Sequence, residues 1–87
     1  MSARTRPMTT MQGHALSVLV DVGLADSGEV ARHLLIDASR ARSALSGLEL
    51  RGYVERQYTG HRFRGCAYYA TVEGMAAYDA EYGDTDA

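Results

Sequence analysis

Apolar residues recur at helical spacing through the first half of the chain, then switch to strand spacing before a last helical stretch. In TTMQGHALSVLVDVG, residues 9–23, apolar side chains at 11, 15, 18, 19 and 22 predict a helix over about 11–22. Ala15, Val18, Leu19 and Val22 share its apolar face, a threonine supplies the N-cap candidate, and Gly23 the stop. In LADSGEVARHLL, Asp26 followed three residues later by Glu29 resembles a capping box with Asp in place of Ser or Thr. Val30, Ala31 and Leu34 then give the stripe of a short second helix, about 27–34. Asp37 is a further N-cap candidate, and the spacing predicts a third helix over 38–51 with Gly52 ending it. At about 100° per residue, Ala41, Ala44, Leu45 and Leu48 fall on one face of that helix. Ser39, Arg40, Ser43, Ser46 and Gly47 fall opposite, with Arg42 on the flank.

From Tyr53 the period drops to two. YVERQY (53–58) reads as a strand, TGHRFRG (59–65) as a glycine-bounded loop, and CAYYAT (66–71) as the returning strand. Val54, Arg56 and Tyr58 alternate on one side and Cys66, Tyr68 and Ala70 match them, so parity predicts an inward-facing, slowly reacting Cys66. Thr71 is placed to cap a final helix, VEGMAAYDAEY, stopped by Gly83. The pattern predicts an α+β domain over 11–83, made of three helices, a two-stranded hairpin and a C-terminal helix. A flexible basic arm (1–10) precedes it and a frayed tail (84–87) follows.

Composition narrows the function. Eighty-seven residues suffice for one core, and 46% apolar content argues against global disorder. No apolar run approaches the roughly 18 residues of a membrane span. The opening MSARTRPMTT is basic without the apolar region of a secretory signal, so a cytoplasmic protein is expected. Cys66 stands alone and the histidines, His14, His33 and His61, are scattered, so neither a disulfide nor a metal site is expected, and no cofactor. With no Gly-rich phosphate loop and no nucleophile motif, an enzyme is not expected.

Charge adds a second pattern. Every basic residue apart from histidine is arginine, and the net charge is −2. Residues 32–64 nevertheless hold seven arginines against Asp37, Glu49 and Glu55, a local excess of +4. The remainder carries Arg4 and Arg6 against eight acids, −6. A basic middle between acidic flanks has the form of an electrostatic footprint for a polyanion.

The order helix, short helix, tight turn, helix, hairpin, helix is that of a winged helix-turn-helix domain. VARHLLIDASRARSALSGLELRGYVER (30–56) resembles the stretch of MarR-type and related PadR-like regulators in which an "IA..L" helix meets a short turn. An "S…AL..LE.RG.V" helix then runs into the wing. YYATVEGMAAY (68–78) resembles the "Y.LT.EG" that returns from the wing into the next helix. The resemblance covers about 30–78, with one departure: the family's turn usually carries glycine where this chain has Leu35.

The resemblance implies a transcription regulator bound to double-stranded DNA, with helix 38–51 in the major groove and wing 59–65 on the minor groove or backbone. Ser39 and Ser43 are then placed to reach bases or phosphates, Arg40 to pair with a guanine edge, and Arg42 to meet phosphate. His61, Arg62 and Arg64 occupy the wing tip. Full-length MarR-type proteins dimerise through long terminal helices, and this chain looks like a minimal version. Its stripe of Val72, Met75, Tyr78 and Tyr82 reads equally as core or as the seam of a homodimer. No small-molecule effector is specified. Two rival readings keep the fold: a protein-interaction module, viral or replication-associated, without direct DNA binding, and a phage-type factor that bends DNA.

Overall fold

The computed structural model describes residues 7–60 and 65–82. Its elements run α1 (Thr10–Val22), α2 (Ser27–Leu34), α3 (Ala38–Leu50), β1 (Val54–Gly60), β2 (Gly65–Ala70) and α4 (Val72–Tyr82). This is the expected α+β winged-helix order, and each helix starts where its cap predicts. The Thr9 hydroxyl accepts from Gln12 N at 3.0 Å while Gln12 Oε1 accepts from Thr9 N at 3.2 Å, a complete capping box. Asp26 accepts from Glu29 N at 2.8 Å and Asp37 from Arg40 N at 2.9 Å.

The core forms where three helices and the base of the hairpin meet. Leu16 and Leu19 of α1, Val30 of α2, Leu45 and Leu48 of α3 and Val54 of β1 are fully buried. On α3 the buried set is Ala41, Ala44, Leu45 and Leu48, the face that the spacing predicted. On α1 the face is correct in direction but not in extent. Leu16 joins it, whereas Val22, in the last turn, is 44% exposed because the packed helices end before it.

Both junctions flanking α3 end in the same backbone motif. At the close of α2, Leu35 N donates to Arg32 O (3.3 Å) and Ile36 N to Ala31 O (3.0 Å). At the close of α3, Gly52 N donates to Glu49 O and Tyr53 N to Leu48 O, both at 3.0 Å. These are Schellman pairings, which need a left-handed residue at their centre. Gly52 supplies it with φ 81° and Leu35 with φ 59°, ψ 43°. The turn therefore keeps the geometry that glycine would give, at the strain of holding a Cβ in the left-handed region.

β1 and β2 pair antiparallel, with Val54 opposite Ala70, Arg56 opposite Tyr68 and Tyr58 opposite Cys66, and a register shift between Tyr58 and Gly60. The strands run further towards the tip than alternation predicted. A feature absent from the sequence reading adds a third line to this sheet. Ala25, between α1 and α2, bridges Tyr68, with Tyr68 N donating to Ala25 O at 2.8 Å and Ala25 N to Tyr68 O at 3.2 Å.

The expected inward Cys66 is corrected: the residue is exposed, although Tyr68 and Ala70 on the same face are buried. On the face shared by Cys66, Tyr68 and Ala70 burial stops at Tyr68, and Cys66 and its partner Tyr58 (78% exposed) extend past it, although Ala67 on the opposite face is still buried.

The wing returns to α4 through one compact joint. Thr71 N donates to Tyr53 O (3.0 Å), the Thr71 hydroxyl donates to Gly52 O (2.7 Å), and Gly74 N donates back to that hydroxyl (2.9 Å). A Cβ at Gly74 would overlap the Tyr53 carbonyl. The RGYV and TVEG segments thus meet each other, which gives both motifs a physical reason.

Candidate nucleic-acid interface

The buried face of α3 fixes what its other face presents. Ser39, Arg40, Arg42, Ser43 and Ser46 are all exposed, as the helical spacing predicted. Gly47, predicted among them, is half-buried, because the Gln12 side chain of α1 lies where a Cβ on Gly47 would sit. Thirteen residues at about 1.5 Å each make α3 roughly 20 Å long, with Ser39, Arg40 and Ser43 on the half nearest its capped N-terminus. Ser39, Arg40, Ser43 and Ala44 also line, with Thr9, Met11 and Gln12 of the α1 start, an open groove of about 450 Å³.

The arginines divide into two groups. Arg56 forms a two-pronged pair with Glu49, its Nε at 3.1 and 3.2 Å from the two carboxylate oxygens and Nη2 at 3.1 Å from one of them. This bond, joining β1 to α3, holds the Arg56 pKa above its ordinary value, and the guanidinium also lies over the Tyr68 ring. Arg51 donates to the Pro7 carbonyl at 3.0 Å and stands 5.9 Å from the Tyr53 ring centre. Both therefore serve the fold. Arg40 and Arg42 have exposed side chains without an ion pair among the described residues. They are the α3 cations left available to a partner.

Across the wing, the Tyr69 hydroxyl donates to Glu55 Oε1 at 2.8 Å, and that carboxylate raises the phenol pKa. Glu55 is thus occupied by a tyrosine instead of an arginine. His61, Arg62 and Arg64 lie outside the described residues. Towards the tip, Gln57, Tyr58 and Cys66 are exposed, while Ala67, opposite Gln57, is still buried.

The α4 stripe splits. Val72 is 82% exposed and Met75 half exposed. Tyr78 packs against the core, with its hydroxyl 3.3 Å from Ser17 Oγ, and Tyr82 lies over Gly13 with its ring 5.2 Å from that of Tyr78. Tyr78 covers α1, whereas Tyr82 is 50% exposed like Met75, so Val72, Met75 and one side of Tyr82 form the outward part of the stripe.

Several acidic side chains lie away from α3: Glu73, Asp79 and Glu81 are exposed on α4, which packs on α1 and β2. Of the acids near α3, Glu49 is paired with Arg56, while the exposed Asp37 accepts from the Arg40 backbone N–H and keeps its charge at the capped end of the helix. Among the described residues no cluster of His, Cys, Asp or Glu could hold a metal ion, and no helix is long and apolar enough to cross a membrane.

No protein-family model matches the chain, and no curated protein matches it. Solved structures do. A MarR-family transcriptional regulator from Silicibacter pomeroyi superposes with TM-score 0.75 at 27% identity, over 84% of this chain and 49% of its own. The YusO protein of Bacillus subtilis gives 0.77 at 21% identity, over 83% and 51%. MepR of S. aureus, solved in complex with DNA, gives 0.76 at 21%, over 85% and 61%. The chain spans about half the length of the first two and somewhat more of the third. Its architecture is the MarR-like winged-helix fold, shared with transcription regulators.

Proposed function

We propose that this chain is a sequence-specific DNA-binding regulator that reads the major groove with α3 and meets the backbone or the minor groove with its wing. The observation that carries the reading is the exposed face of α3. Ser39, Arg40, Arg42 and Ser43 stand together, free of ion pairs among the described residues, on a helix whose opposite face is locked into the core. A guanidinium fork in the first turn suits the two acceptors on a guanine edge, and the serines suit either bases or phosphates. The wing-tip His61, Arg62 and Arg64 complete the contact by sequence position. The fold shared with MepR, which was solved on DNA, supports the same reading.

A homodimer on a pseudo-palindromic site is the accompanying proposal, through the outward Val72 and Met75 of α4. A second reading, a module that docks on another protein, draws on Leu50 and Val72, apolar side chains that are 90% and 82% exposed. Selection of bound duplexes from a random pool by the purified chain separates the two. The regulator yields one enriched motif, and a docking module yields none.

A further inference from the structure

One face of the wing is turned towards the helices and reaches α3. In β1 the side chains of Val54, Arg56 and Tyr58 alternate onto that face, opposite Ala70, Tyr68 and Cys66 of β2. Val54, Tyr68 and Ala70 are buried in the core, and Arg56 extends from the same face to Glu49 of α3. Tyr58, two residues and about 7 Å further along the strand, lies beyond the core and is 78% exposed. Among the described residues its hydroxyl has no hydrogen-bond partner and its ring no aromatic or cationic neighbour.

The α3 side of this link is a polar stripe. At about 100° per residue, Arg42 falls within about 20° of Glu49, two turns earlier, and Ser46 within about 60°. Both are exposed, and Arg42 has no ion pair among the described residues. Arg42 and Tyr58 therefore flank the Glu49–Arg56 pair, one on each element, and neither is engaged by the fold. The wing face that carries Tyr58 holds no acid among the described residues, since Glu55 lies on the opposite face with Tyr69 donating to it. A group seated between α3 and the outer wing meets a guanidinium from the helix and a phenol from the strand.

We propose that Tyr58 is a DNA-contact residue, its hydroxyl donating to a phosphate of the strand that passes between α3 and the wing. This rests on the DNA-binding reading and deepens it with a residue outside both the reading helix and the wing tip. In a duplex, one sugar-phosphate strand separates a major groove from the adjacent minor groove. A protein that sets α3 in the first and its wing on the second straddles that strand. Phenol and guanidinium both donate to phosphate oxygens, and such contacts fix register without reading sequence. Arg42 meets the strand from the helix and Tyr58 from the wing, with the Glu49–Arg56 pair holding the two elements together between them.

The test is a fluorescence-anisotropy titration of the whole chain and of Tyr58→Phe, which removes only the exposed hydroxyl, on a selected and a scrambled duplex across a salt series. The proposal expects Y58F to weaken both duplexes alike, by about three- to tenfold, the worth of one hydrogen bond. The slope of log K against log salt should stay unchanged, because no charge is lost. A second arm replaces each phosphate of the selected duplex in turn by a neutral methylphosphonate. At one position the unmodified chain should lose affinity while Y58F does not. Equal affinity of Y58F and the unmodified chain on both duplexes overturns the contact, as does a loss confined to the selected duplex or the lack of any such phosphate. Loss of selected-site binding by R40A in the same series then shows that the DNA reading stands. A chain that binds neither duplex at any salt overturns both.

Discussion

Replacing Leu35 by glycine should stabilise the protein. Leu35 is the one non-glycine residue with positive φ among the described residues, and its side chain is 91% exposed. Removing that side chain therefore forfeits almost no buried surface. Holding an L-residue in the left-handed region costs about 1–2 kcal/mol, which glycine relieves. Glycine's greater freedom in the unfolded chain returns about 0.5–1 kcal/mol of that. The expected net gain is about 0.5–1 kcal/mol, or a rise in Tm of roughly 2–8 °C for a domain of this size. Urea unfolding followed by far-UV circular dichroism measures it, with an unchanged m-value showing that the unfolded state is comparable. Leu35→Ala is the control, since it shortens the side chain but keeps the Cβ, and should stay within about 0.5 kcal/mol of the original. The reasoning fails if Leu35→Gly is destabilising, or if Leu35→Ala gains as much as Leu35→Gly.

Other outcomes follow from the same geometry. Gly74→Ala forces a Cβ against the Tyr53 carbonyl and should cost about 1–3 kcal/mol in the same denaturation assay; a neutral result would show that α4 is not seated on the β1 start. Cys66 is exposed and should react quickly with a thiol reagent in the native state, with Cys66→Ser keeping its DNA affinity; slow native labelling would place the thiol back in the core. Val72→Glu and Met75→Glu fall on exposed positions, so they should leave the fold intact by circular dichroism while converting a micromolar dimer to monomer by light scattering. A chain already monomeric at tens of micromolar would remove α4 as a seam.

What the sequence made legible followed from period and capping. Asp26 and Asp37 announced the starts of α2 and α3, and Ala41, Ala44, Leu45 and Leu48 named the buried face of α3 without error. That face in turn assigned Ser39, Arg40 and Ser43 to solvent. Periodicity gives the direction of a face but not the point at which the core ends, and Val22 and Cys66 both illustrate this. Each lies on the correct side of its element and beyond the reach of the packing. The Ala25–Tyr68 bridge was illegible for a different reason, since a single paired residue carries no period. Leu35 pointed away from the conformation it adopts, because residue preference alone argues for glycine there. The division of the arginines also required three dimensions. Arg56 finds Glu49, while Arg51 finds Pro7, 44 positions away in the chain.

The central claim is that the exposed N-terminal half of α3 reads base edges. Its most direct measurement compares Arg40→Ala with the unmodified chain on a selected duplex and on variants substituted at each position in turn. The account predicts a loss of about 1–3 kcal/mol on the selected duplex, together with relaxed preference at one base position and little change on scrambled DNA. Equal affinity of the two proteins for the selected duplex, with preference unaltered at every position, would contradict it.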